Sequence, residues 1–113
     1  LTSFMKNKYG LAVVELQKIF ERDTKCVYCH KNMLEQSTSN PRCDWYSIEH
    51  LNYKPPWNNH ETVAICCWSC NSSRGNKKIE VWFKTEYCLT RNINKLTVAE
   101  VVKNYIQSVE SKE

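Results

Sequence analysis

No run of about 18 consecutive apolar residues occurs in the chain, so no membrane-spanning helix is expected. Leu1 to Lys8 lack the charged start and apolar stretch of a secretory signal peptide. There is no internal repeat and no low-complexity tract, which sets repeat architectures aside. Neither sign of charge dominates: 16 basic residues against 12 acidic ones leave a formal +4. Such a mild bias is compatible with a polyanionic partner but does not identify one. At 113 residues the chain fits one domain, residues 1–113, whose modest core would gain from a staple.

Cysteine, by contrast, is abundant. Seven is an odd number, so an all-disulfide framework would leave one thiol over. The spacing argues for metal instead. Cys26-Val27-Tyr28-Cys29 and Cys67-Trp68-Ser69-Cys70 are two C-x-x-C knuckles with 37 residues between them. Four thiolates meet the tetrahedral preference of Zn²⁺. Cys66 adjoins Cys67, but only Cys67 has the right spacing to Cys70. Cys43, Cys66 and Cys88 read as ordinary buried residues. Thiolates persist under reducing conditions, so an intracellular, non-secreted protein is expected.

Tyr9, Val13, Leu16 and Phe20, with Ala12 and Ile19 beside them, predict an amphipathic helix over 9–22. The polar stretch 31–42 reads as a loop. Trp45, Tyr46 and Ile48 mark a strand over 43–50, and 62–66 a second. Between them, Pro55-Pro56 excludes regular structure. The second knuckle opens a helix at Asn71, interrupted near Gly75, and Ile79, Trp82, Phe83 and Tyr87 continue at helical spacing. A last helix is predicted over 97–111, with Thr97 and Glu100 as a capping box and an apolar stripe from Val98 to Val109.

The segment Cys26-x-x-Cys29, Ile48-Glu49-His50 and Cys67-x-x-Cys70-Asn71-x-x-Arg74-Gly75-Asn76 resembles the zinc-containing branch of the HNH endonucleases. The likeness covers residues 24–78. It implies an α+β domain with a ββα-metal motif and a structural Cys₄ zinc on Cys26, Cys29, Cys67 and Cys70, flanked by N- and C-terminal helices. It also implies an acidic-His pair on Glu49-His50 and a helix-borne ligand on Asn71. A catalytic Mg²⁺ or Mn²⁺ would lie between them, and DNA would be the substrate. Two positions depart from the pattern. The family's acid is usually Asp, here Glu49, and its middle Asn aligns with Thr62, with Asn59 three residues earlier as the other candidate.

The chemistry of the residues is consistent with that implication. Phosphodiester hydrolysis calls for a base near neutral pH, which an imidazole such as His50 supplies. It also calls for a cation to stabilise charge on the phosphate, and a hard cation prefers oxygen ligands of the kind Glu49 and Asn71 carry. Neighbours on a strand face opposite ways, so Glu49 and His50 need a bend or bulge to reach one phosphate.

Each residue also has a plain reading. Asn71 is a good helix N-cap. Arg74, Lys77 and Lys78 form either a solvated helix face or phosphate contacts. His60 is either a solvated loop residue or a further ligand, and His30 has no special role. Trp45, Trp68 and Trp82 read as core, whereas Trp57 in the proline-rich loop is a candidate base stacker. The main rival function is a non-catalytic zinc module that binds nucleic acid or protein and has no use for Glu49, His50 or Asn71. One active site cuts one strand per visit, so double-strand cutting would call for a homodimer.

Overall fold

The computed structural model describes residues 12–52 and 60–110. Within them the chain forms a small α+β unit with one two-stranded antiparallel sheet and five α-helices. Helix α1 spans Val13–Arg22 and buries Leu16, Ile19 and Phe20, the i, i+3, i+4 stripe expected of one face. Tyr9, assigned to this helix from sequence, lies outside the described residues. Asp23 ends the helix and is 4% exposed. Its carboxylate accepts from the backbone N–H of Ile65 at 2.9 Å and pairs with Arg22 at 2.7 Å, which fastens α1 to the sheet.

Strands β1 (Tyr46–His50) and β2 (Val63–Cys67) pair without interruption, from Tyr46 opposite Cys67 to His50 opposite Val63. There is no bulge at residues 49 and 50. The strand expected over 43–50 begins only at Tyr46, because Arg42–Asp44 close into a 3₁₀ turn. Every residue of β2 is buried, since α1 packs on β2 and α2 packs on both strands.

Helix α2 spans Trp68–Arg74. It starts three residues before Asn71 because the sulfur of Cys67 accepts from the N–H of Cys70 and caps it. Asn71 is therefore inside the helix and not its cap. Gly75 ends α2 with φ +56°, a conformation glycine adopts without strain.

The 79–87 pattern forms two short helices, α3 (Ile79–Trp82) and α4 (Glu86–Arg91). Helix α5 spans Glu100–Glu110 and starts later than the predicted capping box. The hydroxyl of Thr97 is engaged with the Asn92–Asn94 turn, donating to Asn92 O at 2.8 Å and accepting from Asn94 N at 2.9 Å. The carbonyl of Thr97 is bonded to the ring of His30, which gives that histidine a structural role.

Among the tryptophans, Trp82 is fully buried and meets Tyr28 edge-on at 4.7 Å. Trp68 is instead exposed, and the guanidinium of Arg42 lies over both its ring and that of Trp45, 5.6 and 5.4 Å from the centroids. Cys66 and Cys88 are buried as expected, but Cys43 is exposed, carried outward by the 3₁₀ turn. No helix among the described residues is long and apolar enough to cross a membrane.

Candidate metal centre and the hairpin histidine

The sulfurs of Cys26, Cys29, Cys67 and Cys70 all lie within 4.8 Å of one another, and those of Cys29 and Cys67 are 3.9 Å apart. Four sulfurs around one Zn²⁺ at a bond length of about 2.3 Å would sit roughly 3.8 Å apart, so the cluster is compatible with zinc. Each knuckle is shaped by its own backbone. The N–H of Cys29 points at the sulfur of Cys26 and that of Cys70 at Cys67, both at 3.5 Å. Val27 joins the first knuckle to β2 through Ile65 O at 3.3 Å, and to the approach of α5 by accepting from Ala99 N at 2.8 Å.

At this range the thiols share protons. Donation from Cys26 holds Cys29 well below the usual thiol range, while hydrogen bonding to Cys26 and Cys29 pushes Cys67 and Cys70 up. Cys26 is raised by Cys29 but lowered by Cys67 and Cys70, and comes to about 7. Two groups outside the knuckles support the cluster, and nothing in the cysteine spacing signals either. The Tyr87 hydroxyl, on α4, donates to the Cys70 sulfur at 3.3 Å. Lys31, paired with Asp44 at 2.9 Å, is a cation close to the thiols. Burial disfavours its charge, but Asp44 and the nearby Cys67 and Cys29 raise its pKa overall.

The other end of the hairpin is built differently. Glu49 is 1% exposed and Arg74 likewise 1%. One carboxylate oxygen of Glu49 accepts from the Tyr28 hydroxyl at 2.6 Å and from the Arg74 guanidinium at 3.4 Å. Arg74 also donates to Tyr28 Oη at 3.2 Å, Leu51 O at 2.7 Å and Lys77 O at 3.0 Å. Burial pushes the Glu49 carboxyl up, and Arg74 and Tyr28 hold it back. Arg74, expected to reach a phosphate, is turned inward because its guanidinium is the counter-ion of a buried acid.

Asn71 lies on the same side of the sheet. Its amide nitrogen donates to Ile48 O at 3.0 Å and to the hydroxyl of Ser47. His50, at the end of β1, is half-buried. With the ladder unbroken, His50 faces away from Glu49, so the two do not converge on one point.

Thr62 continues the hairpin, its carbonyl accepting from Leu51 N at 2.8 Å. Asn59 and Trp57 lie outside the described residues. His60 is held by Glu15 at 2.8 Å, and its carbonyl accepts from Arg22 at 2.6 Å, so it is a tether between α1 and the hairpin. Lys77 and Lys78 are exposed.

The expected Mg²⁺ or Mn²⁺ does not fit between Glu49 and Asn71 as they stand. A hard cation takes about six oxygen ligands, several of them water. Glu49 is closed to water, and its charge is met by a guanidinium that repels a dication. A cleft of about 620 Å³ opens beside the hairpin end, lined by Arg22, His60, Glu61, Thr62, Glu100 and Tyr105 among others. Acidic and basic groups are mixed there, which is not a cradle for a polyanion.

No family model, no curated protein and no solved structure matches the chain.

Proposed function

We propose that this chain is a zinc-stapled HNH-type endonuclease that hydrolyses DNA phosphodiester bonds, with His50 drawing the proton from the attacking water. The observation carrying this reading is the meeting of both C-x-x-C knuckles in one cluster, around a hairpin whose first strand ends in His50 and whose second runs directly into a helix. Zinc on Cys26, Cys29, Cys67 and Cys70 is structural. It holds the knuckle, the hairpin and the start of α2 in one unit.

In the reaction His50 takes a proton from water, and the oxygen attacks phosphorus in line. The bond from phosphorus to the 3′ oxygen breaks, that oxygen takes a proton from solvent, and His50 returns its own proton to solvent. The products carry 5′ phosphate and 3′ hydroxyl ends. Lys77 and Lys78, exposed just after α2, contact the neighbouring backbone. Glu49 is paired with Arg74 as it stands, so a divalent ion used in the reaction would be held by other groups. Cleavage of both strands takes two copies of the chain.

The second reading is a zinc module that binds nucleic acid or protein without cutting, and the closed Glu49–Arg74 pair favours it. A plasmid assay separates the two. Zinc-loaded protein is incubated with supercoiled DNA in Mg²⁺, Mn²⁺ or EDTA, beside His50→Ala. Nicked or linear product that disappears in His50→Ala is the expected result. Intact plasmid under every condition, with zinc bound and the fold retained, would leave the binding module.

A further inference from the structure

We propose that Glu49 is a positioning residue, which clamps β1 through Tyr28 and Arg74 so that His50 faces away from α2, and that it is not a ligand of a divalent cation. The importance given to His50 rests on the nuclease reading above, whereas the clamp itself does not.

The grip of α2 on β1 falls on both sides of His50. Before it, Asn71 holds Ile48 O at 3.0 Å and Arg74 holds the Glu49 carboxylate at 3.4 Å. After it, Arg74 holds Leu51 O at 2.7 Å. The opposite strand completes the enclosure, with Leu51 N donating to Thr62 O at 2.8 Å. Residues 48, 49 and 51 are thus fixed by partners from outside the strand, and the alternation of the pleat leaves His50 only the opposite face.

A buried carboxylate without a counter-charge would be costly, and Arg74 meets that need from within the fold. The Tyr28 hydroxyl, at 2.6 Å, takes up the same oxygen. A metal ligand would need an open path for the cation, whereas Glu49 is 1% exposed. The length of the side chain also counts: an aspartate at this position would fall a methylene short of both Tyr28 and Arg74.

The test uses the zinc-loaded chain and the variants Glu49→Gln, Glu49→Asp, Arg74→Met and the double variant Glu49→Gln/Arg74→Met. Thermal midpoints should drop by several degrees in each single variant, and by less in the double variant than the two drops combined. Glu49→Asp should lose stability as Glu49→Gln does. The His50 ring resonances should shift in Glu49→Gln and Arg74→Met, while those of His30 and His60 stay in place. Mn²⁺ binding followed by electron paramagnetic resonance should be the same in wild type and Glu49→Gln.

Should a single variant fail to fold, Tyr28→Phe removes one hydroxyl and should move the His50 signal in the same direction with a smaller loss of midpoint. Additive losses, an unmoved His50 signal, or loss of Mn²⁺ binding in Glu49→Gln would overturn the proposal. A wild type that leaves plasmid intact while the cycle and the resonances behave as stated would overturn the nuclease reading alone.

Discussion

At the Cys67 end of the hairpin, four sulfurs from two distant knuckles converge within 4.8 Å of one another, whereas at the His50 end the Glu49 carboxylate already has its cation in Arg74. The cysteine end is a set of sulfurs suited to a soft metal and braced from outside by Tyr87 and Lys31. The histidine end is complete without an ion. Two adjacent sites on one hairpin thus solve the same problem, charge in a small core, by opposite means. One gathers four sulfurs compatible with a metal, and the other forms an internal salt bridge.

Removing zinc should have the largest effect. Apparent binding free energies of about 10–16 kcal/mol for structural zinc are as large as the whole stability of a typical domain, about 5–15 kcal/mol. Chelation, or Cys70→Ser, should therefore abolish the near-ultraviolet circular dichroism of the tertiary fold. The metal should also be lost on acidification. Zinc binds thiolates, and as pH falls protons compete with it for the four ligands. Zinc release followed with a chromogenic chelator should rise as pH falls and be absent at mildly alkaline pH.

Next in size is the salt bridge. Arg74→Met strands a buried carboxylate and should cost about 3–5 kcal/mol in denaturant unfolding of the zinc-loaded protein, with the metal still bound. Equal loss of zinc in that variant would mean that the two ends are one site. Tyr87→Phe acts at the cysteine end and should cost about 1 kcal/mol, the net worth of one hydrogen bond. In the cobalt-substituted protein it should also shift the sulfur-to-metal charge-transfer band, which a purely packing role would leave alone. Smallest of all, Lys78→Ala should change stability by less than about 0.5 kcal/mol. On the proposed reading it weakens DNA binding and lowers the salt dependence by about one ion.

Much of the cysteine end was legible from the sequence, because zinc ligation imposes a local spacing and Cys26, Cys29, Cys67 and Cys70 obey it. The strands were legible too, since Ile48 and the apolar run Val63 to Cys67 carry a burial pattern. The fate of Glu49 was not. Its partners stand 21 and 25 residues away, and nothing in the local pattern of a strand says whether a carboxylate is solvated or buried against an arginine. Arg74 was misplaced for the same reason: on a seven-residue helix either face is plausible until the sheet is set beneath it. Thr97 had the chemistry of a helix cap, but the Asn92–Asn94 turn competed successfully for its hydroxyl. Tyr87 reached the cluster through tertiary packing alone.

The uninterrupted pairing of β1 with β2 has a consequence for how such a chain can change over generations. Parity along a strand is strict, so a single residue inserted or deleted between Tyr46 and Glu49 would exchange the faces of the acid and the imidazole in one step. Length changes in the polar stretch 31–42 leave that parity untouched, and closing a longer loop is cheap, about 0.6 kcal/mol for a doubling. Variation in length should therefore gather between the first knuckle and β1, while the five residues of β1 admit substitution but no change of count.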